Sequence, residues 1–322
     1  MARQAGKSAD FSFNSVAIED ELSSITQTTD VNIVPVTAFG DAAETYVEGL
    51  PSSNFSISGF FDPAASQGAK GMTRIAVINP NMSVGFTEKV GAQARRIVAP
   101  GTEVLALNPQ FGPASIEGYY DEAFASVGLL AAMRGLEADG ASGGKISGYV
   151  VACFDDTGVD AARCLTKAPV MGLCEAALRF AAIVASRFAI VTPMAVSVRP
   201  LEHLVSKYGA SSQCVVRAAG VRTLDFEGEN ADMAYLALKI SAENCLAEDG
   251  AEAIVLGCAG MTDIADRLRA ELGVPVIDGV SAAVKLIEAM GMLGLQTSKA
   301  GAYASPPVKT YDGIFAAFAP VA

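Results

Sequence analysis

Short apolar runs alternate with helix-patterned segments along most of this chain. Parallel strands need long crossover connections, and the helices in those connections cover both faces of the sheet. The alternation therefore predicts an α/β fold with parallel sheets from Met72 onward. Predicted strands lie at residues 75–78, 103–107, 148–152, 169–172, 188–191, 215–218, 253–256 and 275–277. Predicted helices include residues 119–137, 175–186, 233–248 and 264–272.

The eight predicted strands can form either one sheet or two smaller ones. Two of them, at 148–152 and 253–256, end beside cysteines, and these residues, Cys153 and Cys258, lie 105 positions apart. Because the same strand–cysteine pattern occurs once in each half of the α/β region, we expect two similar four-stranded lobes around a cleft.

The first 71 residues have a different pattern. They are rich in Ser, Thr, Asp and Phe, and apolar residues alternate with polar ones at 11–14 and 54–61, which predicts β-strands. A run of small residues at 64–71 follows, and Met72 stands just before the first strand of the α/β region. We expect residues 1–71 to form a β-rich extension, either an incomplete domain or a fusion.

Composition argues against several classes of function. A formal charge of −12 makes a nucleic-acid partner improbable. The longest apolar stretch, near 180–198, is interrupted by Arg187 and Pro193, so it does not predict a membrane span. With one histidine, no ligand cluster and no nucleotide-binding motif, we expect neither a metal nor a cofactor. The N-terminus lacks the apolar core of a signal peptide and the six cysteines form no CxxC pair, which predicts free thiols in the cytoplasm.

Cys153 and Cys258 each stand between a buried strand and a helix start, where open α/β sheets place their binding sites. Nearby Asp and Thr residues are candidate helix caps, and free helix N–H groups lower the pKa of a thiol. Beside Cys153, Asp155 and Asp156 oppose that lowering of the pKa if their side chains point at the thiol, and the balance stays open. Placement alone supports catalysis and packing equally for this pair. The other four cysteines are expected to be packing residues, namely Cys164, Cys174, Cys214 and Cys245.

Polar side chains follow two other predicted strands. Asn79 and Asn81 come after the first strand, and Thr192 follows the strand at 188–191. Their side chains can hydrogen-bond amide or imide groups, although Asn-Pro-Asn is also common in turns. The segment 112–120 is either a cleft loop or the entry to a helix. The only histidine, His203, lies in an amphipathic pattern and is expected at the surface or in packing.

Five segments of the α/β region stand out together: residues 78–81 (Ile-Asn-Pro-Asn), 112–122, 152–156 (Ala-Cys-Phe-Asp-Asp), 251–261 and 273–279. With them, the chain from Met72 to about Lys309 resembles the hydantoin racemases of the aspartate/glutamate racemase superfamily. The resemblance implies two Rossmann-like lobes related by a pseudo-two-fold axis, an active site between them, and a homo-oligomer that needs no cofactor. On this basis we expect lobe 1 at 72–168 plus 278–310, lobe 2 at 169–277 and a tail at 311–322.

The same resemblance assigns the two catalytic cysteines to Cys153 and Cys258. It also implies substrate contacts from polar side chains at strand ends and from the backbone around both cysteines. These expected contacts are Asn79, Asn81, Phe154, Asp155, Thr192, Gly257, Ala259 and Gly260. Cys174 departs from the family pattern, in which a non-thiol residue is expected before Glu-Ala-Ala.

Racemisation of a 5-monosubstituted hydantoin removes the hydrogen from C5 and returns one to the opposite face. This requires a base on one face, an acid on the other, and donors for the enolate oxygen. The resemblance thus implies a two-thiol racemase whose substrate is a small hydantoin.

Other functions remain open. An allantoin racemase is the nearest alternative, while a racemase for aspartate or glutamate would need a cation that the motifs do not show. Residues 36–41, 46–50 and 56–62 resemble part of a phage tail-tube-type β domain, so a virion-associated or assembly role of residues 1–71 is the alternative from a different class.

Overall fold

The apolar runs of the sequence become the strands of two parallel sheets. The computed structural model describes residues 12–13, 16–17, 24–28, 54–58 and 73–320. The chain divides into two compact units, Met1–Gly71 and Met72–Ala322. Among the described residues, no helix is long and apolar enough to cross a membrane.

The described part of the first unit consists of short antiparallel strands. Strand β1 (Ser12–Phe13) pairs with β2 (Val16–Ala17), and β3 (Ser24–Thr28) pairs with β4 (Asn54–Ser58). The alternating residues at 54–58 thus form the strand that their pattern predicts. Of the segments on which the tail-tube resemblance rests, 36–41 and 46–50 lie outside the described residues, and 56–62 is described only at 56–58.

In the second unit, the first sheet has the strand order β6-β5-β7-β8, and all its neighbouring strands are parallel. Its strands are β5 (Thr73–Ile78), β6 (Thr102–Leu107), β7 (Gly148–Val151) and β8 (Val170–Gly172). The helices that follow its first three strands are α1 (Val84–Ile97), α2 (Tyr119–Gly143) and α3 (Val159–Leu165).

The second sheet repeats this order as β10-β9-β11-β12, again with parallel neighbours. Its strands are β9 (Phe188–Thr192), β10 (Cys214–Ala218), β11 (Ala253–Leu256) and β12 (Val276–Ile277). The remaining helices are α4 (Leu173–Val184), α5 (Val198–Lys207), α6 (Ala231–Glu248), α7 (Ala265–Leu272) and α8 (Gly279–Met292). In both sheets, therefore, the first strand in the chain lies between the second and the third.

One apolar core joins the two sheets. It contains Val77 of β5, Ile190 of β9 and buried residues of α4 and α8, such as Ala177 and Val284. Two further cores lie on the outer faces, one between the first sheet and helices α2 and α3, the other between the second sheet and α6 and α7. Because α4 and α8 belong to the shared core, they pack between the sheets and fix how the two sheets lie relative to each other.

Two details differ from the sequence-based expectations. Residues 170–172, expected in the second lobe, pair with β7 and so extend the first sheet. The predicted side-chain caps after the cysteines are also wrong, because α3 begins after Gly158, whose φ is 70°, and α7 begins after Ile264. Left-handed backbone at Gly158 ends the preceding turn without a side-chain cap.

Candidate active site

A cleft at the carboxyl ends of the strands brings together both halves of the α/β region. It encloses about 540 Å³, part of it open to solvent. All ten expected site residues line it, from both sheets: Asn79, Asn81, Cys153, Phe154, Asp155, Thr192, Gly257, Cys258, Ala259 and Gly260. None of the other four cysteines lines this cleft.

The position of the cleft follows from the repeated strand order. In a sheet ordered 2-1-3-4, the crevice forms where the connections after strands 1 and 3 run to opposite faces. Asn79 follows strand 1 of the first sheet and Cys153 follows strand 3; Thr192 and Cys258 occupy the corresponding places in the second sheet. The two crevices open into one cleft, so each sheet contributes one cysteine.

Backbone pairing continues beyond both strands and holds the residues before each cysteine. The N–H of Ala152 donates to the carbonyl of Ile78 at 2.7 Å, and the N–H of Gly257 donates to the carbonyl of Val191 at 2.9 Å. A side chain at 257 would bring a Cβ within 3.0 Å of that carbonyl oxygen and of the Cα of Thr192. Only glycine therefore fits between β9 and the Cys258 turn.

Burial dominates the electrostatics of Cys153. It raises the pKa of the thiol well above its ordinary value, and the Asp155 carboxylate raises the pKa further. The Thr157 hydroxyl and the backbone N–H of Asp155 act against this rise. A charge on Cys258 also raises the pKa of Cys153, so the two sulfurs are close enough to interact.

Burial also raises the pKa of the Cys258 thiol, to about 11, and the Asp155 carboxylate adds to the rise. The backbone N–H of Gly260 and the Lys89 ammonium lower that pKa. The backbone N–H groups after each cysteine thus lower the thiol pKa as expected, but burial outweighs them at Cys258, and the open balance at Cys153 also ends with a raised pKa. The cause is the loss of water contact between the lobes, which a single strand–helix junction in the sequence does not reveal.

Asn79 and Asn81 lie on the cleft wall but also build the turn that starts α1. The Asn79 amide donates to the Asn81 Oδ1 at 2.8 Å, to the Ser83 carbonyl at 3.0 Å and to the Thr87 hydroxyl at 3.1 Å. The N–H of Ser83 donates to the Asn81 Oδ1 at 2.9 Å, and Ser83 in turn caps the helix. All the hydrogen bonds of the Asn79 amide nitrogen therefore serve the turn and the start of α1, as expected for an Asn-Pro-Asn turn.

Thr192 differs from Asn79 because its polar side-chain atom is left without a hydrogen bond. It is buried at the end of β9, and its Oγ1 has no hydrogen-bond partner among the described residues. A buried hydroxyl without a partner costs free energy. A substrate that hydrogen-bonds this hydroxyl recovers that cost, which favours the expected binding role of Thr192.

The two acidic residues after Cys153 do different things. Asp155 lines the cleft, and its carboxyl makes no hydrogen bond within the described part of the chain. Burial raises its pKa to about 7, helped by the charges of Glu122 and Asp156. Asp156 turns away, at a φ of 49°, and accepts from the N–H of Cys174 and from the Tyr208 hydroxyl, at 2.9 and 2.7 Å.

Sequence reasoning missed several lining residues, because their side chains enter the cleft from helix starts and loops. They are Phe86, Pro193, Ser197 and Thr223. Ser115 and Ile116 also line the cleft, and they belong to the segment 112–120, so that segment contributes a cleft loop and then enters α2. His203 lies outside the cleft lining, at the surface, with its Nδ1 2.8 Å from the Tyr119 hydroxyl.

Over the described residues, no group of three or more His, Cys, Asp or Glu side chains is arranged to hold a metal ion. The groups that the cleft offers a ligand include two thiols, the buried and unpartnered Thr192 hydroxyl, the hydroxyls of three other lining residues, the Asp155 carboxyl and backbone N–H groups. The N–H of Phe154 is one of these, because it donates to no group among the described residues. The arrangement can move protons and hydrogen-bond a small polar ring.

Comparisons with known proteins agree with this geometry. The family model described as Asp/Glu/Hydantoin racemase matches residues 75–287. The chain is 46% identical over 240 residues to a hydantoin racemase of Rhizobium meliloti, covering 74% of this chain and 97% of that protein. It is 43% identical over 239 residues to one from Paenarthrobacter aurescens, covering 74% and 99%. Among solved structures, allantoin racemase from Klebsiella pneumoniae superposes with a TM-score of 0.72 at 45% identity, covering 77% of this chain and all of that one.

Proposed function

Because this chain belongs to the Asp/Glu/hydantoin racemase family, we propose that it racemises 5-monosubstituted hydantoins, using Cys153 and Cys258 as acid and base. One observation carries the proposal above the others. The two cysteines follow the third strand of two sheets with the same strand order, and both line the single cleft between the sheets.

The reaction needs one thiolate and one thiol. The thiolate takes the proton from C5, and the electron pair of the broken C–H bond moves into the ring as an enolate. The thiol on the opposite face then gives its proton to C5, which completes the inversion and leaves the two sulfurs with exchanged protonation states. We propose that the Phe154 N–H and the Thr192 hydroxyl help to bind the ring and its developing oxyanion.

The charges of the cleft favour a neutral ring over a substrate with an extra carboxylate. None of the residues lining the cleft is Lys or Arg, and one of them is the acidic Asp155. The nearby Lys89 is already bound to the Gly260 carbonyl and to Asp263. Aspartate and glutamate would therefore bring a negative charge to a site with no free cation among its described residues.

Allantoin is the second candidate substrate. Its support is the similarity to the allantoin racemase from Klebsiella pneumoniae, and the cleft holds the hydroxyls of Ser115, Ser197 and Thr223, which suit a ureido group. Phe86 and Ile116, in the same wall, suit an apolar side chain at C5.

We further propose that the protein is a cofactor-independent homo-oligomer in the cytoplasm. Its first lobe comprises residues 72–168 and 278–310, its second lobe comprises residues 169–277, and strand β8 is moved from the second lobe to the first because it pairs with β7. On α6, Met233, Leu236 and Ile240 are all about half exposed or more. Their spacing places them on one helix face, which supports self-association through that face.

Chiral chromatography or polarimetry of the purified chain tests the function. The substrates are single enantiomers of hydantoins with benzyl, methylthioethyl and ureido groups at C5, with L-aspartate and L-glutamate as controls. Racemisation of a hydantoin confirms the proposal, and the preferred side group distinguishes the two candidate substrates. Racemisation of aspartate or glutamate alone would overturn it.

A further inference from the structure

The charged groups around the two cleft cysteines are distributed unequally. Near Cys153 stand the carboxyls of Asp155 and, behind it, Glu122 and Asp156, all of which raise a neighbouring pKa. Glu122 lies in the first turn of α2, and its Oε1 is buried without a hydrogen-bond partner among the described residues. The charges that act on the Cys153 sulfur are those of Asp155 and Cys258, and none of the described residues that line the cleft is Lys or Arg.

Near Cys258 stands a cation that comes from the other lobe. Lys89, on α1, donates from its Nζ to the Gly260 carbonyl at 3.1 Å and forms an ion pair with Asp263 at 3.3 Å. Both partners belong to the turn Ala259–Ile264 that follows Cys258. The Lys89 side chain is only 19% exposed, so solvent screens its charge less than that of a surface lysine.

Close packing holds Lys89 in this place. One helical turn before it, the ring of Phe86 packs so tightly on Gly260 that a Cβ there would lie 2.9 Å from a ring carbon. The same face of α1 therefore presents Phe86 and Lys89 to the turn after Cys258. The ammonium acts on that sulfur, while the Asp155 carboxylate opposes the thiolate at both sulfurs.

We infer that the two cysteines are not equivalent: Lys89 makes Cys258 the sulfur that loses its proton first, and Cys153 keeps its proton as the thiol. This inference rests on the proposed function for the roles of the two sulfurs, and it makes Lys89 a positioning residue. The enantiomer whose C5 hydrogen points at Cys258 then binds the resting enzyme productively. The opposite enantiomer requires a prior exchange of protons between the sulfurs.

The test is the pH dependence of alkylation at each cysteine. The intact protein without substrate is treated with iodoacetamide between pH 6 and pH 11, and the labelled peptides are quantified by mass spectrometry. The pH midpoint of labelling, rather than its rate at one pH, separates thiolate formation from accessibility. In the unmodified sequence the midpoint of Cys258 is expected below that of Cys153.

Three variants probe the cation. Lys89→Met should reduce the labelling of Cys258 about three- to tenfold at a fixed pH below its midpoint, with a smaller effect on Cys153. Asp263→Asn removes the partner of Lys89 and should increase the labelling of Cys258. Lys239→Met, which breaks a comparable ion pair between Lys239 of α6 and Glu271 of α7, should change the labelling of neither cysteine.

A lower midpoint for Cys153 than for Cys258, or an unchanged Cys258 midpoint in a folded Lys89→Met protein, would overturn the inference. If that variant does not fold, the order of the two midpoints and the Asp263→Asn result still decide the matter. Because no substrate is present, failure to racemise hydantoins would refute the proposed function without changing the expected labelling order.

Discussion

Asp155→Asn should make this protein more stable above neutral pH, although it alters a residue of the cleft. The Asp155 carboxyl makes no hydrogen bond among the described residues that the amide would lose, and the two side chains have nearly the same shape. Burial and the charges of Glu122 and Asp156 raise its pKa from 3.8 to about 7. An acid whose pKa is higher in the folded state destabilises that state as the pH rises from the unfolded pKa through the folded one.

The size of the effect follows from those two pKa values. At pH 8, ionised Asp155 costs the folded state about 4 kcal/mol if the full shift applies. Because Asp155 faces a cleft that is open to solvent, we halve this figure, to about 2 kcal/mol. Near pH 4.5 the same calculation gives only about 0.5 kcal/mol, since the carboxyl is then protonated in the folded protein and half of the time or less in the unfolded chain.

The assay is urea denaturation of the two proteins at pH 8 and pH 4.5, with the free energy of unfolding extrapolated to water. Asp160→Asn is the matched control, in the first turn of α3. Burial opposes the ionised form of Asp160, but Lys207, at 2.7 Å, and the Tyr303 hydroxyl outweigh it and lower its pKa. This control should therefore reduce stability at pH 8, with the effect fading as the pH falls below the ordinary range for an aspartate. If Asp155→Asn lowers stability at pH 8, or raises it equally at both pH values, the reasoning is refuted.

Four further outcomes are expected. Cys153→Ala and Cys258→Ala should each abolish racemisation of both enantiomers by chiral chromatography, because each turnover uses both sulfurs; robust racemisation by either variant would contradict the two-thiol mechanism. Thr192→Val should raise the KM about five- to tenfold, the equivalent of one hydrogen bond, while leaving the unfolding midpoint unchanged or higher; an unchanged KM would remove Thr192 from the binding site. Iodoacetamide should inactivate the enzyme faster as the pH rises from 7 to 10, since burial raises the pKa of both thiols, and a bound hydantoin should slow the inactivation; a pH-independent rate would contradict the raised thiol pKa values. Deletion of residues 1–71 should leave kcat/KM and the size-exclusion profile unchanged, whereas loss of assembly would support a role of that segment in polymerisation.

The strands of the α/β region were predictable because each is a short, mostly apolar run bounded by polar or turn residues. Every predicted strand lies within two residues of the observed one at either end. The two strand-end cysteines could be found by the same reasoning, since parallel sheets place their binding sites at the carboxyl ends of strands. The polar residues Asn79 and Thr192 could be found there too. Only the structure shows that the Asn79 amide already has hydrogen-bond partners, whereas the Thr192 hydroxyl has none among the described residues.

What the sequence could not show depends on contacts between distant segments. The rise in thiol pKa comes from water that both lobes exclude, and the Lys89 ammonium reaches the Cys258 turn across 171 positions of the chain. The pairing of residues 170–172 with the first sheet was equally hidden, because a short apolar run fits the edge of either sheet. The direction of the Asp156 side chain was hidden for the same reason, since the groups that bind its carboxylate lie on α4 and after α5.

Helices α4 and α8, packed between the two sheets, have a consequence for how such an enzyme can change its substrate. Small core residues such as Ala177 and Ala283 let the two sheets, and with them the turns that carry Cys153 and Cys258, approach each other closely. Under the proposed mechanism, a larger side chain there should move the two cysteines apart and slow the reaction of every substrate alike. Ser115, Ile116 and Thr223 line the cleft outside that core, so a change in the preferred side group at C5 is expected to come from residues of this kind.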